Sequence, residues 1–186
     1  MEAGGGLLYW TLSSSFGRTW FSLHSNIDVG VIAKIDFLGP HFPALRSISL
    51  GCILFNEETH VEDFIVRHRR TLRSLWLHSC RIAIHGPGQG PPRFWSEVFT
   101  RFADVLEELT GVFVDDGRHR QLNRYTRLHE RTRYAYLLDS LVRIKDEEAL
   151  RKIEDEVFSR DVWRPNWWFM KNRIYIRLGE TASKSK

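Results

Sequence analysis

The segment LRSLWLHSCRI, from Leu72 to Ile82, contains the spacing of apolar residues that decides the fold class of this 186-residue chain. Apolar residues stand at its first, fourth, sixth and eleventh positions, and a cysteine stands at its ninth. The alternation of Leu75 and Leu77 is typical of a β-strand that buries one face. The longer frame around this alternation fits neither an amphipathic helix nor a hairpin. It therefore indicates a strand that forms one part of a repeated unit.

The same frame recurs at two other places in the chain. A second copy, LRSISLGCI, begins 27 residues upstream at Leu45, and a third, LTGVFVDDG, begins 37 residues downstream at Leu109. The second copy is imperfect, because Ile53 stands where the first copy has Cys80. The shared pattern L-x-x-L-x-L-x-x-N/C-x-L is the frame of a leucine-rich repeat.

The segments between the repeated strands have helical periodicity, as crossovers between parallel strands require. NEETHVEDFIVRHRR predicts a helix with Asn56 as its N-cap, and PPRFWSEVFTRFADVLEEL predicts another that opens at Pro92. The Gly- and Pro-rich loop HGPGQGPP, residues 85–92, accounts for the longer period before the third copy. Farther upstream, residues 32–37 predict a strand followed by an irregular link.

These patterns predict an α/β fold, a short leucine-rich-repeat-like solenoid of strand–helix repeats with a C-terminal helical extension. Residues 1–19 form a poorly defined N-terminal segment, and residues 20–178 form a single domain. Within that domain, residues 121–158 are predicted to be helical. Residues 179–186 are predicted to be a disordered tail. An apolar content of 42% supports a globular domain.

The net charge limits the classes of partner that we expect, and the cysteine content indicates the cellular compartment. The 27 basic and 23 acidic residues give a net charge of +4, which is mild for a protein that binds nucleic acid. Cys52 and Cys80 lie in apolar segments with the pattern of strands, and they are predicted to be buried thiols in a reducing compartment. No window approaches the roughly 18 uninterrupted apolar residues of a membrane span. We therefore expect no membrane association and an intracellular location, cytoplasmic or nuclear.

The repeated segments resemble the leucine-rich-repeat-like C-terminal regions of fungal F-box proteins. The resemblance lies in FPALRSISLGCILFNEETHVEDFIVRHRRTLRSLWLHSCRI followed by FWSEVFTRFADVLEELTGVFVDDG, and it covers about 80 residues from Phe42 to Gly117. It implies a protein–protein interaction module, similar to the substrate-recognition region of a ubiquitin-ligase receptor. No F-box is visible in the sequence, so we do not expect these residues to bind the ligase adaptor.

In such a repeat, the side chains between the core leucines point to the concave face of the sheet. The expected partner-binding residues on that face are Ser74, Trp76, His78, Phe113 and Asp115. Trp76 and Phe113 are aromatic anchors of the type that dominates interface energies. Two interpretations stay open at this point. The face is either open to a protein partner or covered by the chain's own termini.

Two further aromatic or basic segments have competing interpretations. Residues 118–134 contain six arginines interleaved with tyrosines, a composition that suits single-stranded RNA but equally suits a solvated helix face. The Trp-rich segment RDVWRPNWWFMKNRIYIRL, residues 160–178, is expected to cover an end of the domain. RNA binding through residues 118–134 is the alternative function. A second alternative is that the chain is a non-functional, truncated structural remnant.

Catalytic motifs are missing from the sequence. It contains no G-x-S-x-G, no G-x-x-x-x-G-K-[ST], no H-E-x-x-H and no C-x-x-C. His78 and His85 flank Cys80, but a strand and a loop histidine around one buried thiol do not make a consistent metal site. We therefore expect no enzymatic activity, no cofactor and no bound metal.

Overall fold

Segments that form strands alternate with segments that form helices, and the result is a mixed α/β fold in which a curled, mainly parallel sheet forms a half-barrel. The computed structural model describes residues 8–15, 18–30, 35–85, 93–115, 125–129, 132–135 and 140–160. The strands within these residues are β1 Leu8–Ser15, β2 Arg18–Val29, β3 Leu45–Phe55, β4 Ser74–His78, β5 Arg81–His85, β6 Gly111–Asp115, β7 Tyr125–His129 and β8 Thr132–Ala135. The helices are α1 Val61–Arg67, α2 Trp95–Val105 and α3 Ser140–Arg160.

The sheet divides into two sets of strands that share β3. In the first set, β1 pairs antiparallel with β2, and β2, β3, β4 and β6 then follow in parallel. In the second set, Leu54 and Phe55 at the end of β3 pair with β5, β5 pairs in parallel with β7, and β7 turns back as β8. The three copies of the repeated frame are β3, β4 and β6, side by side in the first set.

A left-handed backbone residue separates the two sets of strands. Cys52 has a φ of 56° and Ser79 has a φ of 50°, and these two residues occupy equivalent places in successive repeats. The next residues, Ile53 and Cys80, are both buried. Ile53 can replace Cys80 because both fill the same layer of the core. Burial raises the pKa of the Cys80 thiol to about 12, and the thiol donates to the carbonyl oxygen of Leu50 at 3.5 Å.

The alternation in the repeated strands is confirmed. Leu75 and Leu77 are buried, whereas Trp76 between them is only half-buried. Helices α1 and α2 pack against the buried face of the sheet, and they contribute the largest fully buried side chains of the core. These side chains are Phe64, Trp95, Phe99 and Phe102.

Helix α1 begins later than the sequence predicts. Its N-cap is His60, which has a φ of 51°, rather than Asn56. Asn56 instead closes the turn after β3, where its Oδ1 accepts a hydrogen bond from the backbone N–H of Thr59 at 2.8 Å. The hydroxyl of Thr59 donates to the carbonyl of Leu54 at 3.0 Å, which ties this turn to the strand.

Two other predictions of secondary structure are wrong. Of the strand predicted over residues 32–37, residues 35–37 do not lie in a strand, and residues 32–34 lie outside the described residues. The backbone N–H of Phe37 donates to the carbonyl of Thr59 at 2.9 Å, and its ring is buried. Residues 125–129 and 132–135 are strands rather than parts of a helix, and the helical extension is confirmed only from Ser140. Aromatic and β-branched residues favour a strand here, and the parallel edge of β5 offers it a partner.

Several predicted segments lie outside the described residues. They are the loop at 86–92, residues 118–124 and 130–131 of the Arg- and Tyr-rich segment, most of the Trp-rich segment and the tail at 179–186. Within the described ranges, the helices are either too short or too polar to span a lipid bilayer.

Candidate binding groove

The parallel register of β2, β3, β4 and β6 arranges the outward side chains in three rows across the sheet. The first row is Trp20, Ser47, Ser74 and Gly111, the second is Ser22, Ser49, Trp76 and Phe113, and the third is His24, Gly51, His78 and Asp115. All five residues that the sequence nominated for partner binding therefore lie on one surface.

These rows enclose an open groove of about 570 Å³, a volume typical of ligand-binding clefts. Its lining residues are Trp20, His24, Ser47, Ser49, Ser74, Trp76, His78, Phe113 and Asp115. Below, "the groove" refers to this set of nine residues.

Aromatic rings form two sides of the groove. The rings of Trp76 and Phe113 lie on adjacent strands with their centroids 5.1 Å apart and their planes tilted by 43°. Trp20, on β2, is 45% exposed and lies beyond the small side chains of the middle strands. The floor between Trp20 and Trp76 consists of serines, so the groove is apolar at its sides and hydroxyl-lined at its base.

One end of the groove is polar. The Nε2 of His24 and the hydroxyl of Ser49 are hydrogen-bonded at 2.8 Å, and Nδ1 of His78 lies 2.9 Å from Oδ2 of Asp115. The two imidazole rings are 6.4 Å apart. Burial lowers the pKa of His24, and the charge of nearby His78 lowers it further. His24 is therefore a neutral ring at pH 7.

Gly51 makes the position of His24 possible. A Cβ at residue 51 would clash with the Nδ1 of His24 and would lie 2.8 Å from its Cγ. With only hydrogen at this position, the ring of His24 lies across β3 toward His78. Because Gly51 has no side chain, His24 of β2 can form part of the polar end of the groove.

Trp20 and His24 were missed by the sequence analysis, although a signal for them exists. Phe21 and Leu23 lie 27 residues before Ile48 and Leu50, the same interval that separates the strands β3 and β4. Arg18 stands where the other copies have their first leucine, which hides the frame. Segment TWFSLHS is thus a further copy, and its outward residues complete the groove.

The N-terminal part of the described chain extends the sheet and does not cover the groove. Strand β2 pairs beside β3, and β1 pairs on the outer edge of β2. The sequence left open whether the chain's own termini cover this face, and residues 8–15 and 18–29 do not cover it, because they pair within the sheet. Residues 161–186 lie outside the described residues.

The groove holds no recognised metal-binding arrangement among the residues that the structure describes, since no three His, Cys, Asp or Glu side chains there are placed around one point. Comparisons with models of protein families, with curated proteins and with solved structures give no match to this chain.

Proposed function

We propose that this chain is a protein-interaction module that binds a segment of a partner protein in the groove. In this proposal the fold is a short leucine-rich-repeat-like solenoid, and its role is similar to that of the substrate-recognition region of a fungal F-box protein. The repeated 27-residue interval and the parallel pairing of β2, β3 and β4 support the solenoid. The observation that carries the function is the presence of Trp20, Trp76 and Phe113 around one solvent-facing groove.

Aromatic side chains favour a protein partner for this groove for two reasons. Trp and Phe are enriched at protein interfaces, where each covers a large area with few rotatable bonds. Here Trp76 and Phe113 also rest on paired strands and against each other, so few degrees of freedom remain to be lost on binding.

Binding explains the polar end of the groove better than catalysis does. The His24–Ser49 pair could resemble a base and a nucleophile, but among the described residues no carboxylate bonds the second ring nitrogen of His24. Ser49 also lies in the sheet between Ser22 of β2 and Trp76 of β4, so the backbone groups at this position already take part in strand pairing. An oxyanion would lack the backbone donors that acyl transfer needs.

A display selection with the purified chain tests the proposal directly. Random peptides are selected on the wild-type chain, and the dissociation constants of the selected peptides are then measured for Trp76→Ala, Phe113→Ala and Phe158→Ala. Phe158 is 70% exposed on α3 and serves as a matched aromatic control away from the groove.

We expect Trp76→Ala and Phe113→Ala to weaken binding by about thirtyfold, since a central anchor contributes about 2 kcal/mol or more. Phe158→Ala should leave affinity unchanged. Peptides that bind the wild type and both groove variants equally would contradict the proposal.

A further inference from the structure

A second cavity lies at the end of α1, and it shares no lining residue with the groove. Its volume is about 400 Å³. It is lined by His41 and Pro43, from the chain before β3, and by residues 67–71, which follow the last turn of α1. These seven residues are called the basic pocket below. They include three arginines and no carboxylate, so an anionic group is the complement of this cavity.

Positive charge is concentrated in the two segments that form the basic pocket. Residues 38–46 and 66–73 contain five arginines and no aspartate or glutamate, whereas the net charge of the whole chain is only +4. Glu108 pairs with Arg73 at 3.3 Å, but neither residue lines the basic pocket. An anion would therefore be attracted to this place on the molecule rather than to the chain as a whole.

Hydrogen bonds hold the two segments against each other. The Nη1 of Arg67 donates to the carbonyl oxygens of Leu38 at 2.7 Å and Pro40 at 3.1 Å. The rings of His41 and His68 are stacked with their centroids 5.5 Å apart. The guanidinium of Arg67 is therefore fixed in place, and its donors on Nε and Nη2 lie outside these two bonds.

Arg69 and Arg70 are exposed, and among the described residues neither has an acidic partner. Other arginines of this chain are paired. Arg101, for example, lies 2.7 Å from Glu62 and 3.0 Å from Asp63. Two neighbouring guanidinium groups without a counter-charge repel each other, and an anion bound between them would replace this repulsion by attraction.

The backbone carbonyls at the end of α1 are bonded within the chain. The carbonyl oxygen of Ile65 accepts the N–H of His68 at 3.1 Å, that of Val66 accepts the N–H of Arg69 at 3.1 Å, and that of His68 accepts the N–H of Leu72 at 2.9 Å. These bonds partly neutralise the negative end of the short helix. The basic pocket therefore presents guanidinium groups to a ligand, with few free carbonyl oxygens beside them.

A phosphate monoester matches three arginines better than a carboxylate does. It carries a charge between about −1.5 and −2 at pH 7 and has three acceptor oxygens. Guanidinium groups bind such oxygens in pairs, through parallel N–H donors. A cavity of this size holds one phosphate group, whereas tight binding of a nucleic acid requires contacts to many phosphates.

We propose that the basic pocket binds the phosphate group of a phosphate monoester, with Arg67 as a fixed donor and Arg69 and Arg70 as the neighbouring charges. The carrier of this group is either a phosphorylated side chain of a protein or a small phosphate, because both present the same chemistry. The inference is independent of the proposed function, since the two sites have no residue in common.

The probes for the test are Nα-acetyl-O-phosphoserine amide, inorganic phosphate and the neutral Nα-acetyl-serine amide. Binding to the full chain at low salt is followed by the backbone amide NMR signals. The variants Arg69→Gln and Arg70→Gln each remove one charge from the basic pocket. Arg143→Gln removes the same charge from an exposed position on α3 and is the matched control.

We expect the phosphoserine amide to shift the signals of residues 67–71 and to bind about tenfold more tightly than the serine amide. Arg69→Gln and Arg70→Gln should each weaken it by about fivefold, and Arg143→Gln should leave it unchanged. All three variants should keep the wild-type melting temperature within a few degrees, because the replaced side chains are exposed. Tighter binding of the phosphoserine amide than of inorganic phosphate would identify a phosphorylated side chain as the carrier, and equal or weaker binding would identify a small phosphate.

Equal binding of the phosphoserine and serine amides would overturn the inference. A loss of affinity in Arg143→Gln as large as that in Arg70→Gln would also overturn it, because it would show attraction to the net charge alone. So would shifts that leave residues 67–71 unmoved. Trp76→Ala should bind the phosphoserine amide as the wild type does, so failure of this inference leaves the proposed function of the groove standing.

Discussion

Trp76 and Leu77 are neighbours on β4 that face opposite sides of the sheet. Leu77 is 1% exposed in the core, and the Leu77→Ala substitution would leave a cavity there. We expect Leu77→Ala to lower the free energy of unfolding by about 2 to 5 kcal/mol, measured by urea denaturation. Trp76→Ala should have a much smaller effect. Equal destabilisation by the two substitutions would show that the groove face is packed beneath other parts of the chain.

His68 is a buried histidine whose two ring nitrogens have different roles. It is 2% exposed, its Nδ1 lies 2.7 Å from the carbonyl oxygen of Phe64, and its Nε2 accepts the backbone N–H of Phe42 at 3.1 Å. This pattern requires a neutral ring that carries its proton on Nδ1. Burial lowers the pKa of His68, and the charges of His41 and Arg67 add to this, against the opposing hydrogen bond to Phe64.

Stability should therefore depend on pH through His68. The unfolded state takes up a proton near the ordinary histidine pKa of about 6.5, while the folded state resists protonation. The contribution is complete above that pH and is lost as pH falls toward the lower pKa of the folded state. One such group changes the free energy of unfolding by at most about 1.4 kcal/mol per pH unit. Urea denaturation from pH 7.5 to 5 should give a flatter profile for His68→Gln than for the wild type, and His24 adds a slope of the same sign. Identical profiles would exclude this role for His68.

At the scale of elements, a buried acid connects α3 to the start of α2. Asp146 is buried on α3, where its Oδ1 accepts the backbone N–H of Ser96 at 2.8 Å and its Oδ2 accepts the hydroxyl of Tyr125 at 2.7 Å. The same hydroxyl accepts the backbone N–H of Trp95 at 2.9 Å. Side chains from β7 and α3 thus bind the first backbone donors of α2, which Phe94 as N-cap cannot do.

We expect Tyr125→Phe to remove the hydrogen bonds to Trp95 and Asp146 and to lower the free energy of unfolding by about 1 to 3 kcal/mol, because the groups involved are buried. Amide hydrogen exchange at the start of α2 should accelerate in the same variant. Ser159→Ala removes an exposed hydrogen bond to the carbonyl of Glu156 and is the control, with an expected change of a few tenths of a kcal/mol. An equal loss in the two variants would contradict the proposed connection.

The repeated strands were easier to predict than residues 125–129 and the start of α1, for a physical reason. The frame around Leu75 reports burial on one sheet face, and that burial is local to each repeat. Residues 125–129 form a strand because β5 presents a parallel edge to them, and the sequence of this segment does not reveal that edge. The cap at His60 was missed for a similar reason, since Asn56 is used to close the turn that precedes the helix.

At the scale of the whole molecule, five groove residues were predictable because strand alternation fixes which side chains share a face. The frame does not fix how far the sheet extends beyond its recognised copies. Trp20 and His24 were recognised only with the pairing of β2 to β3, because Arg18 replaces the first leucine and hides that copy of the frame. The hydrogen bond between His78 and Asp115 also depends on register, which places these residues opposite each other on adjacent strands.

The modest overall charge also bears on the RNA alternative. We expect no submicromolar binding of single-stranded RNA at 50 mM salt, measured by fluorescence anisotropy, because a net charge of +4 offers few phosphate contacts. Phosphate-mediated binding would weaken with salt at a log–log slope of about −0.7 per phosphate. Submicromolar affinity with such a slope, abolished by Arg124→Ala with Arg127→Ala, would favour RNA binding over the groove proposal.

The groove is built from residues as far apart as Trp20 and Asp115, which has a consequence during synthesis. At ribosomal rates, the roughly 95 residues between them take about 5 to 20 s to add. The hairpin of β1 and β2 can form early, but Trp76 acquires its ring neighbour only when Phe113 emerges. A nascent chain that pauses between β4 and β6 therefore displays a half-built groove, in which Trp76 lacks the ring of Phe113 beside it.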